Sequence, residues 1–133
     1  MLIEDERKMS KLYGVMLQAK GYTVLSAENV DEAMTRLDND LPDLIISDIM
    51  MPAINGIEGC KMIRERHGND VPVLFVSALD DSSTVKQAFD AGGSDYLTKQ
   101  SSLEDVINRV ELWLEVPEDQ RIELVEKSRA AWA

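Results

Sequence analysis

The sequence has little of what marks a specialised environment. It carries a single cysteine, Cys60, so no internal disulfide can form and a reducing compartment is expected. Cys60 falls on the apolar side of a helical pattern and reads as core. It also has a single histidine, His67, and one His with one Cys do not make a zinc ligand set. His67 directly precedes Gly68 at an expected helix end, where an imidazole complements the helix dipole. No apolar run reaches the ~20 residues that a helix needs to cross a bilayer. Acidic residues follow Leu2 and Ile3 at once, which is not the opening of a secretory signal, so a cytoplasmic location without membrane contact is expected. Basic side chains are scarce, 14 against 25 acidic ones, for a net charge of −11. A surface of that sign repels nucleic acid, so no direct nucleic-acid binding is expected; it suits a cation or a basic partner.

The chain does have a rhythm. Its 133 residues, 44% of them hydrophobic, fit one domain with a real core. Short apolar runs at 1–3, 23–25, 44–46, 73–76 and 96–97 read as strands covered on both faces. Helical patterns lie between them. Met9, Leu12, Tyr13, Met16 and Leu17 make one stripe that Gly21 ends. Asn29 caps a second helix carrying Ala33, Met34 and Leu37. A third is expected over 57–67 with Gly68 as its stop, and a fourth over 83–91 stopping at Gly92. Ser102 and Asp105 form a capping box for a fifth, which buries Leu103, Val106, Ile107, Val110, Trp113 and Leu114. Five strand–helix units in alternation predict a doubly wound α/β domain, flavodoxin-like, with a parallel sheet in the order 2-1-3-4-5 and helices on both faces. Past Val116, Pro117 and the acids after it start a sixth helix over 117–131, with Ile122, Val125 and Trp132 roughly on one face. The expected division is a domain over 1–115 and a helical extension or linker over 116–133.

In such a sheet ligands sit outside the carboxyl ends of the strands. Those ends read Glu4-Asp5, Ser47-Asp48, Ser77 and Thr98-Lys99. Each residue alone has an ordinary role: Asp5 as a helix cap, Asp48 opening a turn before Pro52, Ser77 at a helix entry, Lys99 as a solvated cation. Together they would crowd carboxylates at one edge. Two such groups about 4 Å apart repel by roughly 4 kcal/mol at an effective dielectric near 20. Lys99 offsets one charge, and a hard divalent ion with oxygen ligands, Mg2+ before Zn2+, offsets the rest.

Leu2-Ile3-Glu4-Asp5-Glu6, Asp48-Ile49-Met50-Met51-Pro52 with Gly56, Ser77-Ala78, and Tyr96-Leu97-Thr98-Lys99 resemble the receiver domain of two-component signalling, in the right order and spacing over about residues 1–115. The resemblance implies that Asp48 is a phosphoacceptor served by a histidine kinase or histidine phosphotransfer protein. It implies Mg2+ bound by the side chains of Asp5 and Asp48 and the backbone carbonyl of Met50, with Glu4 acting through water. Lys99, Ser77 and the backbone of Ala78 would hold the phosphoryl oxygens, and small Ala78 would leave access open. Ser77 and Tyr96 would act as the switch, Tyr96 turning inward as Ser77 moves. The responding surface would be the fourth helix, fifth strand and fifth helix, open to an output domain, another partner or a second copy of the chain. The domain would catalyse only its own phosphorylation and slow dephosphorylation, and so would not be an enzyme in the usual sense.

Two positions depart from the pattern. The family has proline, with a cis peptide, where Gln100 follows Lys99; a cis bond to a non-proline costs roughly 2.5–4 kcal/mol, so a trans bond is expected. Two residues beyond Asp48 and Ser77 stand Met50 and Leu79, apolar where fast-dephosphorylating relatives carry water-orienting groups, which implies a long-lived phosphoryl group. Two other readings stand beside this one. A phosphorylation-independent scaffold gains only from Gln100. A Mg2+-dependent phosphohydrolase with an aspartate nucleophile lacks its second acid, since Met50 holds that place, and the length leaves no room for a cap domain.

Overall fold

A computed structural model describes residues 1–132. The elements run β1 Leu2–Ile3, α1 Arg7–Ala19, β2 Ser26–Ala27, α2 Val30–Asn39, β3 Ile45–Ser47, α3 Gly56–His67, β4 Val73–Ser77, α4 Ser82–Asp90, β5 Asp95–Thr98, α5 Leu103–Glu115, a 3-10 turn Glu118–Gln120, and α6 Arg121–Ala130. All strand pairs are parallel, in the order β2-β1-β3-β4-β5. That is the predicted flavodoxin-like topology.

Alternation along the strands divides the core. Ile45, Val73 and Phe75 face a layer made by α2, α3 and α4, while Ile46, Leu74 and Val76 face Tyr13 and Leu17 of α1 and Val106, Ile107, Val110 and Trp113 of α5. Side chains buried on both faces explain why these strands read as continuous apolar runs. Local chemistry then fixes the helix starts. Asn29, Asn55, Asp81 and Ser102 each accept the backbone N–H three residues on, at 2.8–3.0 Å. Gly68 and Gly92, both at positive φ, follow α3 and α4.

The sequence misplaced β2. The apolar run at 23–25 only approaches the sheet, with Leu25 accepting the Leu2 N–H at 2.8 Å, and regular pairing begins at Ser26. An edge strand pairs on one side only, so its hydrogen-bond register is not written in its burial. The sixth helix also differs in detail. The 3-10 turn follows Pro117, and Ile122, expected on one face with Val125 and Trp132, is left 76% exposed. The face that docks carries Val125 and Ser128, and Ile122 lies about 90° around the helix from its centre. Val125 packs against both core clusters, which marks α6 as covering the open edge of the sheet beside β5.

Two polar fastenings hold the architecture. Asp95, 1% exposed, accepts Arg109 Nη1 at 2.7 Å and Trp113 Nε1 at 2.9 Å, tying α5 to β5. Arg64 of α3 donates to the carbonyls of Gly68, Val71 and Gly92 and to Ser94 Oγ, at the amino ends of β4 and β5. His67 sits with Arg66 against Asp38 of α2 (Nε2 to Oδ1, 3.0 Å), an inter-helix contact beyond the dipole role.

Candidate functional site

Strand register brings the reactive residues to one edge. Ile3 lies opposite Ser47, and Ser77 opposite Thr98, so Glu4 and Asp48 leave adjacent strands together and Lys99 follows one residue beyond Ser77's partner. Lys99 N–H donates to the Ser77 carbonyl at 2.8 Å. The Lys99 ammonium donates to Glu4 Oε1 and to Asp48 Oδ2, both at 2.9 Å. Asp48 Oδ1 accepts the Ile49 N–H at 2.7 Å, so both oxygens of this buried carboxylate are oriented. Glu4, Asp5 and Asp48 each offer an oxygen within 4.8 Å of the others.

Asp5 is not used as a cap. α1 starts at Glu6 with no side-chain cap, and the Asp5 side chain is exposed. Nor does Ser77 start a helix, since Asp81 caps α4. Ser77 is fully buried, and its hydroxyl accepts the Leu79 N–H at 3.2 Å. Tyr96 is buried too, its hydroxyl donating to the Leu79 carbonyl at 2.6 Å. Ala78 is exposed beside Ser77, and the Met50 side chain is 61% exposed beside Asp48.

The backbone around Asp48 is built for close approach. A Cβ on Gly56 would lie 1.8 Å from the Asp48 carbonyl oxygen, so only glycine starts α3 there. Gly56 N–H donates to the Ile49 carbonyl at 2.8 Å, which pins the loop. Ala53, at φ 67°, turns this loop with an Ile54 N–H to Pro52 carbonyl bond of 2.9 Å. The peptide after Lys99 is trans, as expected for Gln100, and Lys99 still reaches both carboxylates.

The electrostatics fit a divalent cation. Burial, with Asp48 close by, pushes the Glu4 carboxyl up to about 7, against the pull of Lys99. Burial pulls the Lys99 ammonium down, but its bonds to Glu4 and Asp48 more than offset this and raise it above its ordinary value. Three carboxylates against one ammonium leave two formal negative charges, offered wholly by oxygen donors. That is the ligand chemistry Mg2+ prefers. Sequence reasoning missed that Glu4, given a role through water, bonds directly to Lys99; the only signal was the charge count. It also missed the partner of Trp132, whose ring meets Tyr96 edge-on at 5.3 Å.

Comparison with known proteins agrees with this geometry. The family model described as "Response regulator receiver domain" matches residues 1–111. Response regulator MprA of Mycobacterium ulcerans is 34% identical over 110 residues, covering 83% of this chain and 47% of that protein. MprA of Mycobacterium avium is 34% identical over 121 residues, covering 90% and 53%. The chain thus spans about half the length of the curated relatives it matches. Among solved structures, the receiver domain of Francisella response regulator 1452 superposes with a TM-score of 0.80 at 29% identity, covering 86% of this chain and 93% of that one. The beryllofluoride-activated DrrB receiver domain gives 0.79 at 27% identity, covering 86% and 95%.

Proposed function

From the premise that this chain belongs to the response regulator receiver family of two-component signalling, we propose that it accepts a phosphoryl group on Asp48 from a histidine kinase or a histidine phosphotransfer protein. The observation that carries the proposal is the Lys99 ammonium 2.9 Å from both Asp48 and Glu4, with Asp5 alongside. An Asp48 oxygen attacks the phosphorus of a phosphohistidine, the P–N bond breaks with its electron pair going to nitrogen, and the donor leaves as neutral imidazole, its other ring nitrogen already carrying the proton. Ile49 N–H and Lys99 fix the rotamer of the attacking carboxylate. Lys99 then follows the charge from the carboxylate to a phosphoryl oxygen. Ser77 and the backbone of Ala78 supply further donors. Asp5, Asp48 and the Met50 carbonyl would hold Mg2+, with Glu4 outside through water; bound there, the ion neutralises charge on the transferring phosphoryl oxygens.

The reading assigns residues 1–115 to the receiver and 116–133 to a helical extension. It makes the domain a signalling element whose only catalysis is its own phosphorylation and slow dephosphorylation. No helix among the described residues is long and apolar enough to cross a membrane, which suits a cytoplasmic role. Half of each curated relative lies outside the match, so an output domain or a partner reading α4, β5 and α5, or a homodimer, belongs to the proposal.

Incubation with MgCl2 and phosphoramidate, followed by intact mass, tests it. A single adduct is expected, absent from Asp48→Asn and much slower to form without Mg2+ or in Lys99→Met. Turnover of a phosphate ester with no adduct would replace the receiver with a phosphohydrolase, and inertness under every condition would replace it with a scaffold.

A further inference from the structure

The family match ends at residue 111, yet α6, beyond it, is firmly seated. Trp132 Nε1 donates to the Tyr96 carbonyl at 3.2 Å, and its indole meets the Tyr96 ring at 5.3 Å and 80°. One turn earlier, Arg129 donates to Asp90 Oδ1 at 2.6 Å and lies 5.9 Å over the Phe89 ring, both in α4. At the other end Arg121 donates to the Asp70 carbonyl, just before β4. β5 is an edge strand whose outer carbonyls would otherwise face solvent. The helix has engaged one of them.

The contact does not stop at Tyr96. The Tyr96 hydroxyl holds the Leu79 carbonyl, and the Leu79 N–H holds the Ser77 hydroxyl. Ser77 in turn carries, through its carbonyl, the backbone of the lysine that touches Asp48. Trp132, Tyr96, Leu79 and Ser77 thus form an unbroken contact path from the sheet edge to the carboxylate cluster. Tyr96 is the joint: Trp132 covers it on one side, and it fixes the β4–α4 loop on the other.

We propose that α6 is a built-in ligand of the β5 edge whose docking is positively coupled to phosphorylation of Asp48, with Trp132 as a positioning residue that keeps Tyr96 buried and the Ser77 hydroxyl pre-oriented. The proposal rests on the reading of Asp48 as phosphoacceptor. Its sign follows from preorganisation. A hydroxyl already fixed by the Leu79 N–H loses less freedom when a phosphoryl group arrives than one on a loosened loop. Reciprocity then requires that a phosphoryl group at Asp48 tighten α6 by the same factor. Because α6 lies on α4 and β5, a partner that reads this surface in the phosphorylated state meets α6 as part of it, beside α5.

The test uses the full chain. Rates of adduct formation with phosphoramidate and Mg2+ are measured for the parent, Trp132→Ala and Trp132→Phe. Hydrogen exchange of the amides at 121–130 is measured with and without beryllofluoride. Trp132→Ala should react roughly two- to tenfold slower, the range one edge-to-face aromatic pair supplies, and Trp132→Phe should recover most of the rate. Beryllofluoride should slow α6 exchange in the parent. A role confined to stability would leave the exchange of α6 insensitive to beryllofluoride. An adduct that forms while α6 exchange stays unchanged, or a Trp132→Ala rate at or above the parent's, overturns the coupling alone. Absence of any adduct in the parent overturns the phosphoacceptor reading and the coupling with it.

Discussion

Gly56→Ala should injure this domain out of proportion to its size. The added Cβ would sit 1.8 Å from the Asp48 carbonyl oxygen, 2.9 Å from its carbon and 3.0 Å from Ile49 Cα, all of them backbone. No side chain can swing aside, so the first turn of α3 and the Asp48–Ile49 segment must part by more than an ångström. The Gly56 N–H to Ile49 carbonyl bond, 2.8 Å long, is lost in that movement. A broken buried hydrogen bond costs about 1 kcal/mol and overpacking adds about 1–3, for a total of about 2–4 kcal/mol. At this size each kcal/mol moves Tm by roughly 3–5 °C, so thermal unfolding followed by circular dichroism should fall by roughly 6–20 °C. Gly14→Ala is the control. It lies within α1, a Cβ there meets nothing within 4 Å, and the change should raise stability by about 0.5–1 kcal/mol. Phosphorylation should slow in Gly56→Ala, because the acceptor's own backbone shifts, and stay unchanged in Gly14→Ala. A Gly56→Ala protein melting within about 2 °C of the parent would refute the close-approach argument.

Polar replacement of Met50 and Leu79, as Met50→Asn with Leu79→Gln, should shorten the lifetime of the aspartyl phosphate several-fold by giving water oriented partners; an unchanged decay of the adduct in intact mass would reject apolar shielding. Asp95→Ala removes the acceptor shared by Arg109 and Trp113, and because Arg109 keeps partial access to water the cost should sit near about 2–3 kcal/mol in urea unfolding, with Asp95→Asn milder. Burial pushes the Cys60 thiol up from 9.0 to about 11. Its contribution to stability is therefore complete below about pH 9 and is lost as pH rises through 11, so Cys60→Ala should flatten the alkaline decline between these values; an identical slope in the two proteins would count against it.

The sequence made legible what is decided locally or by burial on two faces. β4 announced itself because all five of its residues are buried. Asn29 and Ser102 announced their helices because a cap is a contact over three residues. The carboxylate edge was legible because parallel topology forces every strand's end to the same side. What escaped depends on partners far apart in the chain. The Lys99–Glu4 bond spans 95 positions, and periodicity says that a side chain is covered without saying by what. Trp132 was expected to share a helix face with Val125, but nothing short of the fold names Tyr96 as its neighbour. Ile122 was assigned to the wrong face, the docking stripe being centred nearer Ser128.

Arg64 draws together the segments entering β4 and β5 with donors to four separate acceptors, none of them among the groups that would react. One pole of the molecule is thereby clamped, opposite the pole that carries the acidic cluster. Disturbance at the acidic end can then spend itself in local rearrangement without prising the strands apart. Repeated charging and discharging at the acidic end would leave that single guanidinium and its acceptors in place.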